Sequence, residues 1–147
     1  MSRDIVRALF DVNALIALLD EQHLHSQRAH SWWLHNQAHG WASCPLTQNG
    51  FVRVIAQPSY PSPISIGQAF ALLRHNAETA SHAFWPDDLS LFDDQLVDRS
   101  RILGPKQVTD VYLLALAVKH GGRLVTFDRA VPRDSVRGAS VDHLVTL

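Results

Sequence analysis

Cysteine is nearly absent from this chain of 147 residues, since Cys44 is the only one. A single cysteine excludes an internal disulfide and a zinc site built from cysteines, and it favours a cytoplasmic location. Apolar runs long enough to span a membrane are also lacking. The N-terminus shows no long apolar stretch of the kind found in secretory signals. We therefore expect a protein of the cytoplasm without a membrane segment.

Lysine is scarce as well, and the charges are nearly balanced. The 13 basic residues include Lys106 and Lys119, and all the others are arginines. A net charge of −1 gives no overall basic field of the kind that marks many nucleic-acid-binding proteins. Arginine nevertheless suits two-pronged contacts with phosphate better than lysine does. Several arginines lie towards the C-terminus, although a solvated surface is the simpler explanation for any one of them: Arg123, Arg129, Arg133 and Arg137.

The composition, with 46% hydrophobic and 18% charged residues, is that of one globular domain over residues 1–147. Short apolar segments alternate with stretches of helical periodicity. The predicted strands cover residues 5–10, 41–44, 82–85, 123–127 and 141–145, and the predicted helices cover residues 12–19, 26–37, 45–57, 66–79, 92–99 and 106–120. This alternation is typical of an α/β fold with a mostly parallel central sheet of about five strands, covered on both faces.

Three carboxylates stand where the ligands of a parallel sheet gather. Asp11 ends the first predicted strand, Asp128 ends the fourth, and Asp110 lies in the first turn of the clearest helix. Each has a simple structural explanation, because aspartate caps helices, complements helix dipoles and opens turns. Strand ends and helix starts at one edge of a parallel sheet, however, converge on one cleft. The combination therefore predicts a shared site.

A shared site of carboxylates calls for positive charge, because clustered acids repel one another and their pKa values rise. A hard divalent ion supplies this positive charge. Mg²⁺ fits best, since it takes one or two carboxylates and keeps waters for phosphate oxygens. Such an ion activates water and stabilises charge that develops on phosphorus. We therefore expect metal-dependent hydrolysis of phosphodiesters, and the acids alone leave phosphate-monoester hydrolysis open.

Four segments, in order, resemble the signature blocks of PIN-domain ribonucleases. They are LFDVN at residues 9–13, CPLTQNGFVR at 44–53, VTDVYLLA at 108–115 and LVTFDR at 124–129. They are most similar to the blocks of VapC-type toxins from bacterial toxin–antitoxin pairs. Each block alone is weak, but four in the right order are fairly specific, and the resemblance covers nearly the whole chain.

The resemblance implies a single-domain PIN-like α/β/α sandwich and a Mg²⁺- or Mn²⁺-dependent endoribonuclease, the toxin of a type II pair. It further implies a cognate VapB-like antitoxin that blocks the site, an RNA substrate such as a structured tRNA or rRNA, and usually a homodimer. The first, third and fourth acids of the family match Asp11, Asp110 and Asp128, which would be catalytic and would hold the metal.

The second acid of the family is usually a glutamate, and Gln48 takes its place here. An amide orients a water but brings no charge, so we expect Gln48 to assist catalysis with weaker metal affinity or rate. Asn13 matches the small polar residue that follows the first acid. Thr47 and Thr109 stand beside acid positions and would support the site through hydrogen bonds.

Other functions remain open at this point. Because Gln48 stands where the family usually has an acid, the chain could also be a degenerate PIN domain, which binds RNA or protein without cleaving RNA. A haloacid-dehalogenase-like phosphatase would use Asp11 as its nucleophile, but it needs an acid two residues later, where Asn13 stands. A receiver domain would need an acid pair before Asp11. Asp87 and Asp88 are expected to shape a turn rather than join the site.

Overall fold

The computed structural model describes residues 7–147 and contains one sheet of five strands. The strands are β1 (Ala8–Phe10), β2 (Trp41–Ser43), β3 (His82–Phe84), β4 (Arg123–Thr126) and β5 (Leu144–Thr146). Their order is β3-β2-β1-β4-β5, and every pairing of neighbours in this sheet is parallel. The predicted α/β class is therefore confirmed. Ile5 and Val6, which belong to the first predicted strand, lie outside the described residues.

The strand order has a topological switch point in the centre of the sheet, where the direction in which strands are added reverses. From β1 the chain moves outward to β2 and β3, and it then returns to β4 on the other side of β1. In open parallel sheets, ligands bind at the carboxyl ends of the strands beside such a reversal. The expected site therefore lies where β1 and β4 end.

Five helices cover the two faces of the sheet. They are α1 (Val12–Leu19), α2 (Ser26–Asn36), α3 (Pro45–Ile55), α4 (Ile66–Ala77) and α5 (Val108–Lys119). Successive residues of a strand point to opposite faces. Leu9 accordingly packs in the cluster with α5, whereas Ala8 and Phe10 pack in the cluster with α1, α3 and α4. Helices on both faces give the expected α/β/α sandwich.

Three tryptophans pack on the face of the sheet that α1 covers. Trp41 is buried in β2. Trp32 and Trp33 of α2 meet Phe10 edge-on, with ring centroids 5.9 and 6.2 Å from its own. Edge-to-face contacts of this kind add to the burial energy of aromatic side chains. α2 is therefore fastened to the same face as α1.

The helix predicted over residues 92–99 is wrong. Turns occupy this segment, and the side chain of Asp93 accepts a hydrogen bond from the Gln95 backbone N–H at 2.9 Å. Val97 is buried and forms an antiparallel bridge with Val136. Aspartate side chains that bond to nearby backbone groups compete with helix formation, and here the local bonds and the bridge prevail.

The last strand begins later than the sequence suggested. Residues Val141–His143 form a 3₁₀ turn, and the hydroxyl of Ser140 accepts a hydrogen bond from the backbone N–H of Asp142 at 3.3 Å. β5 then runs from Leu144 to Thr146 and pairs with β4. Within residues 7–147, no helix has both the length and the apolar character needed to cross a bilayer.

Candidate active site

Asp11 follows β1 directly and is both a helix cap and a member of the acid cluster. One carboxylate oxygen, Oδ1, accepts the backbone N–H of Ala14 at 2.8 Å and so caps α1. The other oxygen, Oδ2, accepts the hydroxyl of Thr126 at 2.5 Å. Only 7% of Asp11 is exposed. The two explanations offered by the sequence are thus compatible, because each uses a different oxygen.

Thr126 links two of the acids. It is fully buried at the end of β4, beside β1, and its hydroxyl donates to Asp11. The same oxygen accepts the backbone N–H of Asp128 at 3.0 Å. Thr126 was missed in the sequence, where the available signal was a polar residue at the end of an apolar strand, two positions before an acid.

Asp128 lies just beyond β4, in a turn that its own side chain stabilises. Oδ1 of Asp128 accepts the backbone N–H of Ala130 at 2.8 Å. The turn expected from the sequence is therefore present. It brings Asp128 to the edge of the sheet where Asp11 ends β1.

Asp110, in the first turn of α5, completes the cluster through a hydrogen bond with Asp128. Burial, this hydrogen bond and the charges of Asp11 and Asp128 together raise the pKa of Asp110 to about 7. The pKa of Asp11 is raised as well, mainly by burial and in smaller part by the charge of Asp128, against the hydrogen bonds from Thr126 and Ala14. The structure therefore brings the three predicted acids together.

The donor set of this cluster fits a hard divalent cation. A cation among these oxygens would offset the repulsion that raises the pKa of Asp110. As they stand, the side chains of residues 7–147 contain no group of three or more His, Cys, Asp or Glu arranged to hold a metal. Asp11, Asp110 and Asp128 are the residues that would hold such a cation, after a change in their side-chain positions.

Gln48 lies at the same edge of the sheet, in the first turns of α3. The start of α3 is pressed against the start of α1, because a Cβ on Gly50 would stand 2.5 Å from Cγ2 of Val12. The amide nitrogen of Gln48, Nε2, donates to the hydroxyl of Ser43 at 2.9 Å. Within residues 7–147, the side chain of Gln48 is therefore hydrogen-bonded to Ser43 and not to an acid.

Of the three predicted supporting residues, Thr47 directs its side-chain hydrogen bonds to Cys44 and not to an acid. Thr47 is fully buried, and its hydroxyl accepts the backbone N–H of Cys44 and donates to the carbonyl of Cys44, both at 3.1 Å. It therefore secures the start of α3. Asn13 and Thr109 are exposed, next to Val12 and Asp110. Supporting roles for these residues stay predictions.

Asp88 lies away from the acid cluster. Its carboxylate is 3.5 Å from Nζ of Lys119 and 3.1 Å from Nε2 of His120, at the far end of α5 from Asp110. These two contacts lower the pKa of Asp88. Asp88 therefore ties the segment after β3 to α5.

The strand order and the clustered acids define a class of protein, and the sequence matches the family of that class. Residues 8–134 match the PIN domain. The chain therefore belongs to the PIN domain family. This membership sets aside the phosphatase and receiver-domain alternatives.

The relatives place the chain in the VapC-type branch of that family. It is 54% identical over 142 residues to Ribonuclease VapC44 of Mycobacterium tuberculosis, across 97% of this chain and 100% of the relative. It is 48% identical to Ribonuclease VapC38 of the same organism, across 84% and 86% of the two chains. Ribonuclease VapC39 is 40% identical, across 93% and 99%. The resemblance to VapC-type PIN domains is therefore confirmed.

Proposed function

We propose that the chain is a divalent-metal-dependent endoribonuclease that acts as the toxin of a toxin–antitoxin pair. The observation that carries the proposal is the contact between Asp110 and Asp128, with Asp11 near enough for its charge to raise the pKa of Asp110. Acids that served only as a cap and a turn would gain nothing from this proximity, because their mutual repulsion destabilises the fold. The ribonuclease names of the relatives support the same reaction.

The proposed roles follow from the contacts of each acid. Asp11, Asp110 and Asp128 would hold Mg²⁺ or Mn²⁺, which supplies an activated water and charge stabilisation at the phosphate. The hydrogen bonds from Thr126 and Ala14 fix the carboxylate of Asp11 in one orientation. A fixed orientation lowers the entropic cost of aligning the reacting groups.

The start of α1 contributes to substrate binding. Its first N–H groups lie beside Asp11 and carry partial positive charge, which favours a phosphate at this end of the helix. In the proposed reaction water attacks the phosphorus, the bond from phosphorus to the 3′-oxygen breaks, and that oxygen leaves with a proton. Gln48 would assist by accepting a hydrogen bond from water at the edge of the cluster.

Cleavage of a structured RNA by the purified protein with Mn²⁺ tests the assignment. The Asp11→Asn variant should lose about 100-fold or more in rate, since it removes charge at the centre of the cluster. Asp94→Asn is the matched control, because Asp94 is exposed and pairs with Arg99 at 2.9 Å, outside the cluster. Equal rates of RNA cleavage by the wild type and Asp11→Asn would contradict the assignment.

The proposal also covers the binding partners of the protein, its location and the residues that form the domain. We propose a VapB-like antitoxin that covers the acid cluster, which agrees with the VapC names of the relatives. We also propose a homodimer and a cytoplasmic location. We also propose that the domain extends over residues 1–147, because β5 completes the sheet beyond the matched residues 8–134. Expression of the chain should stop cell growth, and the short reading frame beside its gene should restore growth.

A second candidate is a degenerate PIN domain that binds RNA without cutting it. The observation that favours it is the engagement of the Gln48 amide with Ser43, at a position where the family usually has an acid. This candidate predicts RNA binding without Mn²⁺-dependent cleavage. Cleavage that needs Asp11 excludes it.

A further inference from the structure

Three side chains form a hydrogen-bonded chain beside the acid cluster. Nε2 of Gln48 donates to Oγ of Ser43 at 2.9 Å, and Oγ of Ser43 lies 2.8 Å from Nε2 of His82. Ser43 is only 1% exposed, so water does not readily replace either of its partners. This hydrogen-bonded chain therefore connects α3 to β2 and β2 to β3.

The direction of these hydrogen bonds is set by His82. Burial and the positive charge of Arg7 lower the pKa of His82, which favours a neutral ring with a single N–H. The backbone of Ala77 acts in the opposite direction and offsets part of this lowering of the pKa. Because Gln48 already donates to the Ser43 oxygen, we infer that the Ser43 hydroxyl gives its own hydrogen to Nε2 of His82.

When the Ser43 hydroxyl donates its hydrogen to His82, its oxygen can only accept from the residue at position 48. Its oxygen accepts a hydrogen bond from position 48, and an amide supplies the required N–H whereas an ionised carboxylate offers acceptors alone. A glutamate at position 48 would take the Ser43 hydrogen, and His82 would then need a second N–H. The hydrogen-bonded chain is therefore matched to glutamine.

We propose that Ser43 and His82 are positioning residues for Gln48, holding its Nε2 at Ser43 and turning its Oε1 towards the carboxylate cluster. The two polar atoms of an amide point apart, so the oxygen faces away from Ser43. β2 lies between β3, which carries His82, and β1, which ends at Asp11. The start of α3, which carries Gln48, lies against the start of α1, which Asp11 caps, so the acids lie on the α1 side of Gln48.

The inference rests on the proposed function for its catalytic meaning, since Oε1 of Gln48 then accepts a hydrogen bond from the attacking water. The hydrogen-bonded chain itself belongs to the folded protein and needs neither metal nor RNA. Its existence and its effect on cleavage are consequently measured separately.

The first measurement is the tautomer of His82 by nitrogen NMR of the full chain near neutral pH. The signal is assigned among the 9 histidines by its loss in His82→Gln. The proposal predicts a neutral ring with the proton on Nδ1. A ring protonated on Nε2, or a charged ring, overturns it.

The second measurement is the titration of His82 in Gln48→Glu. A glutamate favours the doubly protonated ring through Ser43, so we expect the proton affinity of His82 to rise about tenfold. Asn49→Asp is the matched control, because it adds the same charge at the next, exposed position of α3. The control should leave the His82 titration unchanged.

The double variant Ser43→Ala with Gln48→Glu separates the hydrogen-bonded chain from direct charge attraction. Without the Ser43 hydroxyl, the rise in proton affinity should vanish. The proposal is overturned if His82 titrates in Gln48→Glu as it does in the wild type, or if the rise persists in the double variant.

Cleavage kinetics test the catalytic meaning. Ser43→Ala should lower kcat about tenfold with KM unchanged, because a free amide no longer presents its oxygen to the water. An unchanged kcat overturns the positioning role. If the wild type does not cleave RNA at all, the proposed function fails, while the tautomer and the titration still decide on the hydrogen-bonded chain.

Discussion

Thr126 donates a hydrogen bond to Oδ2 of Asp11 at 2.5 Å, across the pairing of β4 with β1. The same hydroxyl oxygen accepts the backbone N–H of Asp128 at 3.0 Å. One buried side chain thus sets the position of two acids that are far apart in the sequence. The geometry of the cluster depends on the register of two strands as much as on the acids.

Thr126→Val keeps the shape of the side chain and removes both hydrogen bonds. We expect a loss of about 1–3 kcal/mol in the free energy of unfolding, because a buried carboxylate oxygen loses its donor. The rate of RNA cleavage should also fall, since the carboxylate of Asp11 is no longer held in one orientation. Thr146→Val, at an exposed position of β5, is the control, and denaturant titrations compare the two. Equal stability of both variants would show that the hydroxyl contributes nothing.

Asp110 makes stability depend on pH in an unusual direction. Its pKa in the folded protein is about 7, above the ordinary value of 3.8, so between these values the folded state binds more protons than the unfolded state. Stability without metal should therefore fall as the pH rises from 3.8 towards 7. Asp110→Asn should remove the part of this fall that Asp110 causes and raise the free energy of unfolding near pH 8 by about 1–2 kcal/mol.

Unfolding curves of the wild type and Asp110→Asn across this range check the prediction. Chelator must be present throughout, because a bound cation would mask the effect. Parallel pH profiles of the two proteins would mean that Asp110 titrates at its ordinary pKa.

Gly50 allows the close approach of α3 to α1. In Gly50→Ala the new Cβ would lie 2.5 Å from Cγ2 of Val12, so the helices must separate. We expect a cost of about 1–3 kcal/mol in the free energy of unfolding. Gly67→Ala is the matched control in α4, where the nearest atom is Oγ of Ser65 at 3.9 Å. It should leave stability unchanged or raise it by about 0.5–1 kcal/mol.

The sequence predicted those parts of the site that depend on local pattern. Asp11 and Asp128 follow short apolar strands, and Asp110 opens a helix, so strand ends and helix starts were enough to bring the three together. Thr126 was missed because its role arises only when β4 pairs with β1. The same holds for the partners of Gln48, since His82 reaches Ser43 through the pairing of β3 with β2.

The prediction failed where local side-chain bonds oppose periodicity. The segment over residues 92–99 has helical spacing, yet Asp93 bonds to its own turn and Val97 pairs with Val136. A sequence pattern gives no measure of that competition. Capping of α3 by Thr47 was missed for a similar reason, because proximity to an acid position suggested a catalytic neighbour instead.

The central claim is that the carboxylate cluster is a site for a divalent cation. Calorimetric titration of Mn²⁺ into the metal-free protein tests it most directly, in two buffers of different ionisation enthalpy at about pH 6. The account predicts binding that releases about one proton, the one held by Asp110, and predicts loss of binding in Asp128→Asn but not in Asp94→Asn. Absence of binding by the wild type, or equal binding by Asp128→Asn, would contradict it.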